Sequence, residues 1–312
     1  MESQILLESG TNELEIIEFR IDEIGYEGKV KPCYYAVNVG KVREIINLPK
    51  LTHIPDSTYA VAGIATLRSS VITIVDMAKL LGKETGDVKA SKVIVMEFNN
   101  VQVGIMVHSV QRIHRISWAD VEPPVNMIDD GLVTSIVKME DRIVMLLDFE
   151  KIIADICPQT ALRIPVPSNM EETKAAMRAT KYVMMADDSG FIRKNMRNAL
   201  TDAGYPVLEA CDGQEALEIL LTLKKTAESK HDAIEKHVSV VITDVEMPRM
   251  DGTHLTVRIK EDPVLKAIPV LIFSSMATDD NIRKWRDLGA ERIITKPDLP
   301  NLIALVDEYA IK

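Results

Sequence analysis

The chain has little cysteine, no long apolar stretch and no surplus of positive charge. Three cysteines, Cys33, Cys157 and Cys211, stand far apart among 312 residues, and this spacing offers neither a disulfide framework nor a set of metal ligands. No apolar run approaches the roughly 20 residues that cross a bilayer, so we expect no direct membrane insertion. The amino-terminal segment carries no basic leader, and we expect no secretory signal. Together these absences predict a cytoplasmic protein.

The charge balance is acidic in both halves of the sequence. The formal net charge is −10; residues 1–160 hold 16 Lys and Arg against 23 Asp and Glu, and the remainder holds 21 against 24. Proteins that bind nucleic acids neutralise phosphates with clustered Lys and Arg side chains. Neither half offers such a surplus, so we expect no nucleic-acid partner.

Length and hydrophobic pattern predict two domains of different class. A chain of 312 residues exceeds what one hydrophobic core usually serves. Residues 1–155 contain many short runs rich in Val and Ile, such as YYAVNV, VITIVDM and KVIVMEF, separated by turn residues. This spacing is typical of β-barrels or a β-sandwich. Around Asn99–Asn100 the pattern predicts a hairpin.

A stretch with three prolines separates the two halves. Residues 156–180 continue into a polar, Ala-rich segment, which is the composition of a linker whose last part could form a short helix. Over residues 181–312, short apolar runs alternate with amphipathic helical patterns. That alternation predicts a doubly wound α/β domain with a flavodoxin-like parallel sheet. The polar segment Thr226–His237 is predicted to be a longer helix end or a loop.

Chemically active side chains follow the apolar runs of this second half. Asp187 and Asp188 follow KYVMMA, Asp244 follows VSVVIT, Ser274 follows IPVLIF, and Lys296 follows RIIT. Because the carboxyl ends of parallel strands share one edge of a sheet, these side chains should converge in one crevice. Crowded carboxylates favour a divalent cation, and hard oxygen ligands favour Mg²⁺. An Asp nucleophile, a cation and a Lys together predict phosphoryl transfer to aspartate.

Four motifs in this half, MADDSGFIRK, ITDVEMPRMDG, IFSS and TKP, resemble in sequence and order the receiver domain of bacterial response regulators. The resemblance implies that Asp244 accepts a phosphoryl group from a kinase phosphohistidine. It also implies that Asp187 and Asp188 hold Mg²⁺ together with Asp244 and the backbone carbonyl of Glu246.

The same resemblance assigns roles to three residues further along the chain. Ser274 would be the switch hydroxyl that turns toward the phosphoryl oxygens, and Lys296 would form an ion pair with them. Pro297, which follows Lys296, would form a cis peptide bond that shapes the loop. Once phosphorylated, Asp244 would attract Ser274, and the adjoining surface would reorganise.

Two features depart from the receiver pattern. The fifth strand of such domains often carries an aromatic residue that moves with the switch hydroxyl, and here that position is Ile293. Movement of the switch hydroxyl would then be coupled to the fifth strand through aliphatic packing or by another route. Glu246 and Met276 occupy the positions that flank the attacking water in dephosphorylation, so the lifetime of the phosphate does not follow from the sequence.

One class of enzyme uses nearly the same groups. Phosphatases of the haloacid dehalogenase type also combine an Asp nucleophile, a Ser or Thr, a Lys and an acidic pair around Mg²⁺. Their nucleophile comes first along the chain, and a second Asp follows it two residues later. Here the acidic pair comes first, and position 246 is Glu. The order of the motifs rejects the phosphatase, and we expect no enzyme that acts on a separate substrate.

The first half contains no catalytic constellation, but two stretches resemble the CheW-like coupling domain of chemotaxis proteins. They are Tyr34–Pro55 and Ala62–Met77, with Ser69 and Thr73 replacing a usual glycine and a usual proline. The resemblance implies a double β-barrel that joins chemoreceptor tips to the kinase. The receptor-facing surface would include Val42, Arg43, Glu44 and Arg68.

A coupling domain followed by a receiver resembles the CheV type of chemotaxis protein. This implies a cytoplasmic adaptor at receptor arrays that links chemoreceptors to the histidine kinase and is adjusted by phosphorylation of Asp244, for adaptation. Two alternatives stay open. One is a phosphate sink that drains the kinase, with the coupling domain only localising it; the other is a constitutive scaffold. A Mg²⁺-dependent hydrolase is the least favoured alternative.

Overall fold

The computed structural model describes the chain in two compact units. The described residues are 13–25, 28–55, 58–68, 70–98, 101–117, 120–122, 124, 131–156, 172–274, 279–295 and 301–311. Those up to residue 156 form one unit, and those from residue 172 onward form the other. Each unit has its own hydrophobic core and is described by itself.

The first unit is built mainly from β-strands. Its strands are β1 (Glu13–Ile24), β2 (Val30–Asn38), β3 (Val42–Asn47), β4 (Val61–Leu67), β5 (Ser70–Asp76), β6 (Lys92–Phe98), β7 (Val101–Val107), β8 (Ser109–Ser117), β9 (Val121–Glu122), β10 (Val133–Lys138) and β11 (Ile143–Leu147). Its α-helices are α1 (Met77–Leu80) and α2 (Phe149–Ile156).

These strands form two sheets. One has the order β8-β1-β2-β11-β10-β9, and the other has the order β3-β6-β7-β5-β4. In the second sheet the outer strands approach each other, because Thr52, just after β3, pairs with Ile64 of β4. Glu44 of β3 also forms an ion pair with Arg68, which follows β4. The sheet therefore curves as a small barrel requires. Strands β6 and β7 form the predicted hairpin.

The largest core of this unit is formed by residues of both sheets together with α1 and α2. The rings of Phe19 and Tyr35 stack with centroids 5.8 Å apart, and Phe149 of α2 packs against Phe19. The spacing of Phe149, Ile152 and Ile153 puts all three on one face of α2, and all three are buried. Each such side chain contributes about 1.5–3 kcal/mol by leaving water.

A charged group is buried in the middle of β1. Glu18 has no exposed surface, and it accepts two hydrogen bonds from Arg142, at 2.8 and 3.0 Å, and lies 2.6 Å from the His114 ring. Burial alone raises the pKa of Glu18, but the bonds from Arg142 and His114 outweigh it and lower that pKa. The three side chains join β1, β8 and the β10–β11 turn.

The second unit alternates strands and helices. Its strands are β12 (Val183–Ala186), β13 (Val207–Ala210), β14 (Val240–Asp244), β15 (Val270–Ser274) and β16 (Arg292–Thr295). Its α-helices are α3 (Glu172–Arg178), α4 (Gly190–Asp202), α5 (Gly213–Lys230), α6 (Gly252–Glu261), α7 (Asp279–Asp287) and α8 (Leu302–Ala310). All neighbouring strands run parallel, in the order β13-β12-β14-β15-β16.

Helices cover both faces of this sheet, which is why its strands are apolar along their length. Helices α4 and α8 contribute to the core on one face, and α5 and α6 contribute to the core on the other. The helices begin at capping side chains: Ser189, Asp212 and Asp251 each accept a bond from the backbone N–H three residues later. The chain thus turns within two or three residues from β12 into α4 and from β13 into α5.

The predicted fold class is confirmed: a mainly-β unit precedes an α/β unit with the flavodoxin-like strand order. The polar segment Thr226–His237 divides between the end of α5 at Lys230 and a short 3₁₀ turn, Ile234–Lys236. His231 ends α5 in a left-handed conformation with φ of 55°.

Helix α3 falls within the predicted linker, yet it packs on the second unit. Arg178 is 4% exposed and donates two hydrogen bonds to the Asp307 carboxylate of α8, at 2.8 and 2.6 Å. Its third bond goes to the carbonyl of Ala203, and Tyr205 also donates to Asp307. The linker boundary at residue 180 stays a prediction, and by its contacts α3 belongs to the second unit.

We expect Arg178→Ala to destabilise the second unit by about 3 kcal/mol, because it leaves the Asp307 carboxylate without its buried partner. Hydrogen exchange of the β12 amides in the full chain measures this loss. The matched control is Arg197→Ala, which breaks the exposed pair with Glu209 and should cost less than about 1 kcal/mol. Equal losses of stability in the two variants would contradict a stabilising role for the Arg178–Asp307 pair.

The first residue of α6 is a glycine for a steric reason. A Cβ built on Gly252 would overlap the backbone carbonyl of Asp244 and crowd the Thr243 hydroxyl. Gly190 opens α4 in the same way, but its Cβ would meet nothing nearer than the end of the Arg193 side chain, at 3.8 Å. Of these two glycines, Gly252 is therefore required by the close approach of the backbone and Gly190 is not.

We expect Gly252→Ala to destabilise the second unit by about 2 kcal/mol or more, because β14 or α6 must shift to admit the methyl group. Gly190→Ala is the matched control and should leave stability unchanged or raise it by about 0.5 kcal/mol. Urea unfolding followed by exchange of the β14 amides measures both. A Gly252→Ala protein as stable as the control would refute the steric account.

Candidate functional site

Three carboxylates meet at one edge of the parallel sheet. Carboxylate oxygens of Asp187, Asp188 and Asp244 all lie within 4.8 Å of one another. Asp187 follows β12 and Asp244 ends β14, and these strands are neighbours in parallel register, with Ala186 opposite Thr243. The two strand ends therefore coincide, as the sequence predicted. Asp187 is 2% and Asp244 is 4% exposed.

Local hydrogen bonds fix these carboxylates. Asp187 Oδ1 accepts from the backbone N–H of Ser189 at 2.8 Å, and the Ser189 hydroxyl caps α4. Arg193, one turn into α4, donates to the carbonyl of Asp187 at 2.7 Å. Asp244 Oδ1 accepts from the backbone N–H of Val245 at 2.7 Å. The strand–helix turns themselves orient the acidic groups.

This donor set fits a divalent cation. Three close carboxylates raise one another's free energy of ionisation unless a positive charge or a proton intervenes. The side-chain atoms that could bind the metal are all carboxylate oxygens, which are hard ligands of the kind that Mg²⁺ binds in octahedral geometry. Glu246, two residues after Asp244, is among the described residues, and the role of its carbonyl stays a prediction.

Ser274 lies at the same edge, one strand further along. It is the last residue of β15, is 1% exposed, and follows Phe273, which is paired with Asp244. Opposite Ser274 is Thr295, the last residue of β16. Lys296 follows Thr295 directly, but it lies outside the described residues, as do Pro297 and Met276.

The sequence predictions missed two side chains that hold the acceptor loop, residues 245–251, which follows the predicted phosphoryl acceptor Asp244. Arg249 has a left-handed backbone, with φ of 60°, and its Nε donates to Asp212 Oδ2 at 2.7 Å. Asp212 is 1% exposed and caps α5. The next residue, Gly213, also contacts the loop, because its backbone N–H donates to the carbonyl of Met250. The Asp-Gly pair at a helix start was the only sequence signal for this contact.

A second acidic group borders that loop. Ligand atoms of Cys211, Asp212 and Glu215 also lie within 4.8 Å of one another. Burial, with the hydrogen bond to Glu215, raises the pKa of the Cys211 thiol to about 12, and only a thiolate is a good metal ligand. Arg249 already neutralises Asp212. These residues therefore act as a structural bridge between α5 and the acceptor loop.

The predicted coupling-surface residues lie on β3 and after β4. Arg43 is exposed and pairs with Glu97, and Arg68 pairs with Glu44 at 3.2 Å. Val42 packs instead against the core of the first unit. Arg68 has a left-handed backbone, with φ of 54°, and its side chain is 75% exposed. Ser69 lies outside the described residues.

Within the described ranges, no helix is long and apolar enough to cross a membrane.

Comparisons with known proteins agree with this two-unit organisation. Residues 28–157 match the CheW-like domain family, and residues 183–307 match the response regulator receiver domain family. Two solved structures are similar to parts of the chain. The scaffolding protein TtCheW from Thermoanaerobacter tengcongensis is 26% identical, with 43% of this chain and 88% of that chain covered and a TM-score of 0.37. Chemotaxis protein CheY4 of Vibrio cholerae is 27% identical, with 42% and 98% covered and a TM-score of 0.35.

One curated relative matches nearly the whole chain. It is chemotaxis protein CheV3 of Helicobacter pylori, which is 35% identical over 298 residues, covering 92% of this chain and 91% of the relative. The chain therefore belongs to the CheV family of chemotaxis proteins, with a CheW-like domain followed by a response regulator receiver domain.

Proposed function

We propose that this chemotaxis coupling protein links chemoreceptors to the histidine kinase and is regulated by phosphorylation of Asp244, for adaptation. The observation that carries the proposal is the cluster of Asp187, Asp188 and Asp244 at one sheet edge, in a chain that also contains a CheW-like domain. An adaptor alone has no use for three crowded carboxylates of which two, Asp187 and Asp244, are buried. A receiver uses them to accept a phosphoryl group.

The chemistry at Asp244 is a transfer between two nucleophiles. A carboxylate oxygen forms the new O–P bond while the N–P bond of the donor phosphohistidine breaks, and the released imidazole nitrogen takes a proton. When held by the three carboxylates and the Glu246 carbonyl, Mg²⁺ supplies positive charge that offsets the charge on the phosphoryl oxygens. Lys296 forms an ion pair with the same oxygens, and Ser274 donates to them.

The phosphoryl group stays on the chain's own aspartate, so the protein is a phosphoprotein of a two-component phosphorelay rather than an enzyme with a separate substrate. Ser274 is 1% exposed and ends the strand that pairs with the strand of Asp244, and its hydroxyl would turn toward the new phosphate. That rotation gives phosphorylation a direct structural consequence.

The first unit supplies the adaptor's contacts. Arg43 pairs with Glu97, and Arg68 pairs with Glu44. We assign Arg43, Glu44 and Arg68, with Val42, to the surface that meets chemoreceptor tips. The kinase is the second partner. These partners place the protein in the cytoplasm, at membrane-bound receptor arrays.

We expect phosphotransfer from the cognate kinase to require Asp244 and Mg²⁺. Labelled phosphate should appear on the wild-type chain and be absent from Asp244→Ala. Asp187→Asn should slow labelling by at least about 100-fold at fixed Mg²⁺, since it removes a ligand charge. The control is Asp232→Asn, which alters an exposed carboxylate paired with Lys236 and should not change labelling. Labelling of Asp244→Ala at the wild-type level would refute the assignment.

We expect acetyl phosphate with Mg²⁺ to change the amount of receptor captured by the wild-type chain and to have no effect on Asp244→Ala. Arg68→Ala should weaken capture about tenfold in both states. Arg115→Ala is the matched control, since Arg115 is an exposed arginine paired with Glu15 in the same unit. Capture that is identical with and without phosphate, together with rapid phosphate turnover, would favour the phosphate sink instead.

A further inference from the structure

The start of α5 lies at the same edge of the sheet as the acidic cluster. Strands β13 and β12 are parallel neighbours, with Ala210 opposite Ala186, and the backbone N–H of Asp187 donates to the carbonyl of Ala210 at 3.3 Å. Asp212 follows Ala210 by two residues. The segment after β13 therefore borders a cluster whose three carboxylates come from the ends of β12 and β14.

Asp212 joins this segment to the acceptor loop. It is 1% exposed, and its Oδ1 caps α5 by accepting from the N–H of Glu215 at 2.9 Å. Its Oδ2 accepts from Nε of Arg249 at 2.7 Å and also from Nη2 of the same guanidinium. The Arg249 side chain is 48% exposed and so reaches the carboxylate from the surface. Because a buried carboxylate without a partner is costly, this pair holds the loop against α5.

The backbone beside Asp212 makes a second connection. The N–H of Gly213 donates to the carbonyl of Met250 at 3.1 Å, and a Cβ built on Gly213 would lie only 2.5 Å from that carbonyl oxygen. The two segments are therefore in direct contact, without room for a side chain between them. Since Arg249 and Met250 are adjacent, the loop cannot leave α5 without breaking both connections.

The backbone of Arg249 indicates that the position requires this side chain. Its φ of 60° is a left-handed conformation, which glycine adopts without strain and arginine adopts only at a cost. The ion pair with Asp212 and the bond from Gly213 hold the backbone there. A glycine at residue 249 would relieve the strain but lose the pair, so mutation can separate the two effects.

The acceptor loop is short and closed, so a displacement at one position reaches the others. The N–H of Gly252 donates to the carbonyl of Val245 at 2.9 Å, which ties the two ends of the loop together. Val245 also donates to the Asp244 carboxylate. Between the tied ends lie Glu246, whose carbonyl we assign to the cation, and Arg249. The place of Arg249 therefore affects the place of the Glu246 carbonyl.

We propose that Asp212 and Arg249 are positioning residues of the acceptor site. Their ion pair holds the acceptor loop, and with it the carbonyl of Glu246, in the place where the three carboxylates need it to complete the cation site. The proposal rests on the proposed function of Asp244 as phosphoryl acceptor. It adds the start of α5 to the parts of the domain on which cation binding depends.

Binding of Mn²⁺, which takes the same oxygen ligands as Mg²⁺, tests the proposal in the full chain, with electron paramagnetic resonance counting the free ion. Arg249→Ala and Asp212→Asn should each weaken binding about tenfold, as expected when a group that orients a ligand is removed. Both variants should fold, because asparagine keeps the helix cap and Met247 still anchors the loop in the core. The control is Arg197→Ala, which breaks the exposed pair with Glu209 and should bind Mn²⁺ as the wild type does.

The two variants also separate position from charge. Acting through space alone, loss of the Arg249 charge would strengthen cation binding, whereas loss of the Asp212 charge would weaken it. A positioning role weakens binding in both variants, and the double variant should then bind about as weakly as either single variant. Arg249→Gly should bind as weakly as Arg249→Ala, and Arg249→Lys should recover part of the affinity. Tighter binding by Arg249→Ala would overturn the proposal.

Hydrogen exchange distinguishes positioning from a general loss of stability. Without metal, the Gly213 amide should exchange about tenfold faster in Arg249→Ala than in the wild type, because the loop that accepts its hydrogen bond is no longer held. The amides of β12 should keep their protection. Equal acceleration of Gly213 and β12 would show that the pair only stabilises the fold, and would overturn the positioning role.

The outcomes separate this proposal from the function on which it rests. Wild-type affinity for Mn²⁺ in both Arg249→Ala and Asp212→Asn, with binding lost in Asp187→Asn, would overturn the positioning role and leave the receiver assignment intact. Equal weakening in Arg197→Ala would overturn it as well. A wild-type chain that neither binds Mn²⁺ nor takes up labelled phosphate would overturn both proposals.

Discussion

The crowding of three carboxylates at one sheet edge is the constraint on which the second unit depends. Asp187, Asp188 and Asp244 lie within 4.8 Å of one another, and two of them are nearly excluded from water, so their mutual repulsion opposes folding. Backbone hydrogen bonds offset part of this repulsion: the N–H of Ser189 donates to Asp187, and the N–H of Val245 donates to Asp244. The capped helices α4 and α5 begin within three residues of the strands that precede them, and Gly252 lets α6 approach β14. These features hold the three acidic groups together at one edge of the sheet.

Much of this arrangement could be predicted from the sequence, because its signals are local. Apolar runs mark β12, β14 and β15, and since parallel strands share an edge, the residues after these runs had to meet. The alternation of strand and helix patterns likewise predicts the α/β class. In the first unit, short Val- and Ile-rich runs predict strands, but they do not predict which strands are neighbours.

The interactions that the sequence did not predict join residues far apart in the chain. Arg178 and Asp307 are separated by 129 positions, and Arg249 and Asp212 by 37. Glu18 and Arg142, 124 positions apart, form the buried pair of the first unit. No local period or motif connects such partners, since each pair depends on how complete elements pack.

The acidic groups at the start of α5 have a consequence for the neighbouring thiol of Cys211. Cysteines react with peroxides and disulfides as thiolates. Partial burial, with the hydrogen bond to Glu215, raises the pKa of the Cys211 thiol to about 12, which lowers the fraction of thiolate. The groups that fasten the start of α5 to the acceptor loop thus also make this cysteine a poor nucleophile.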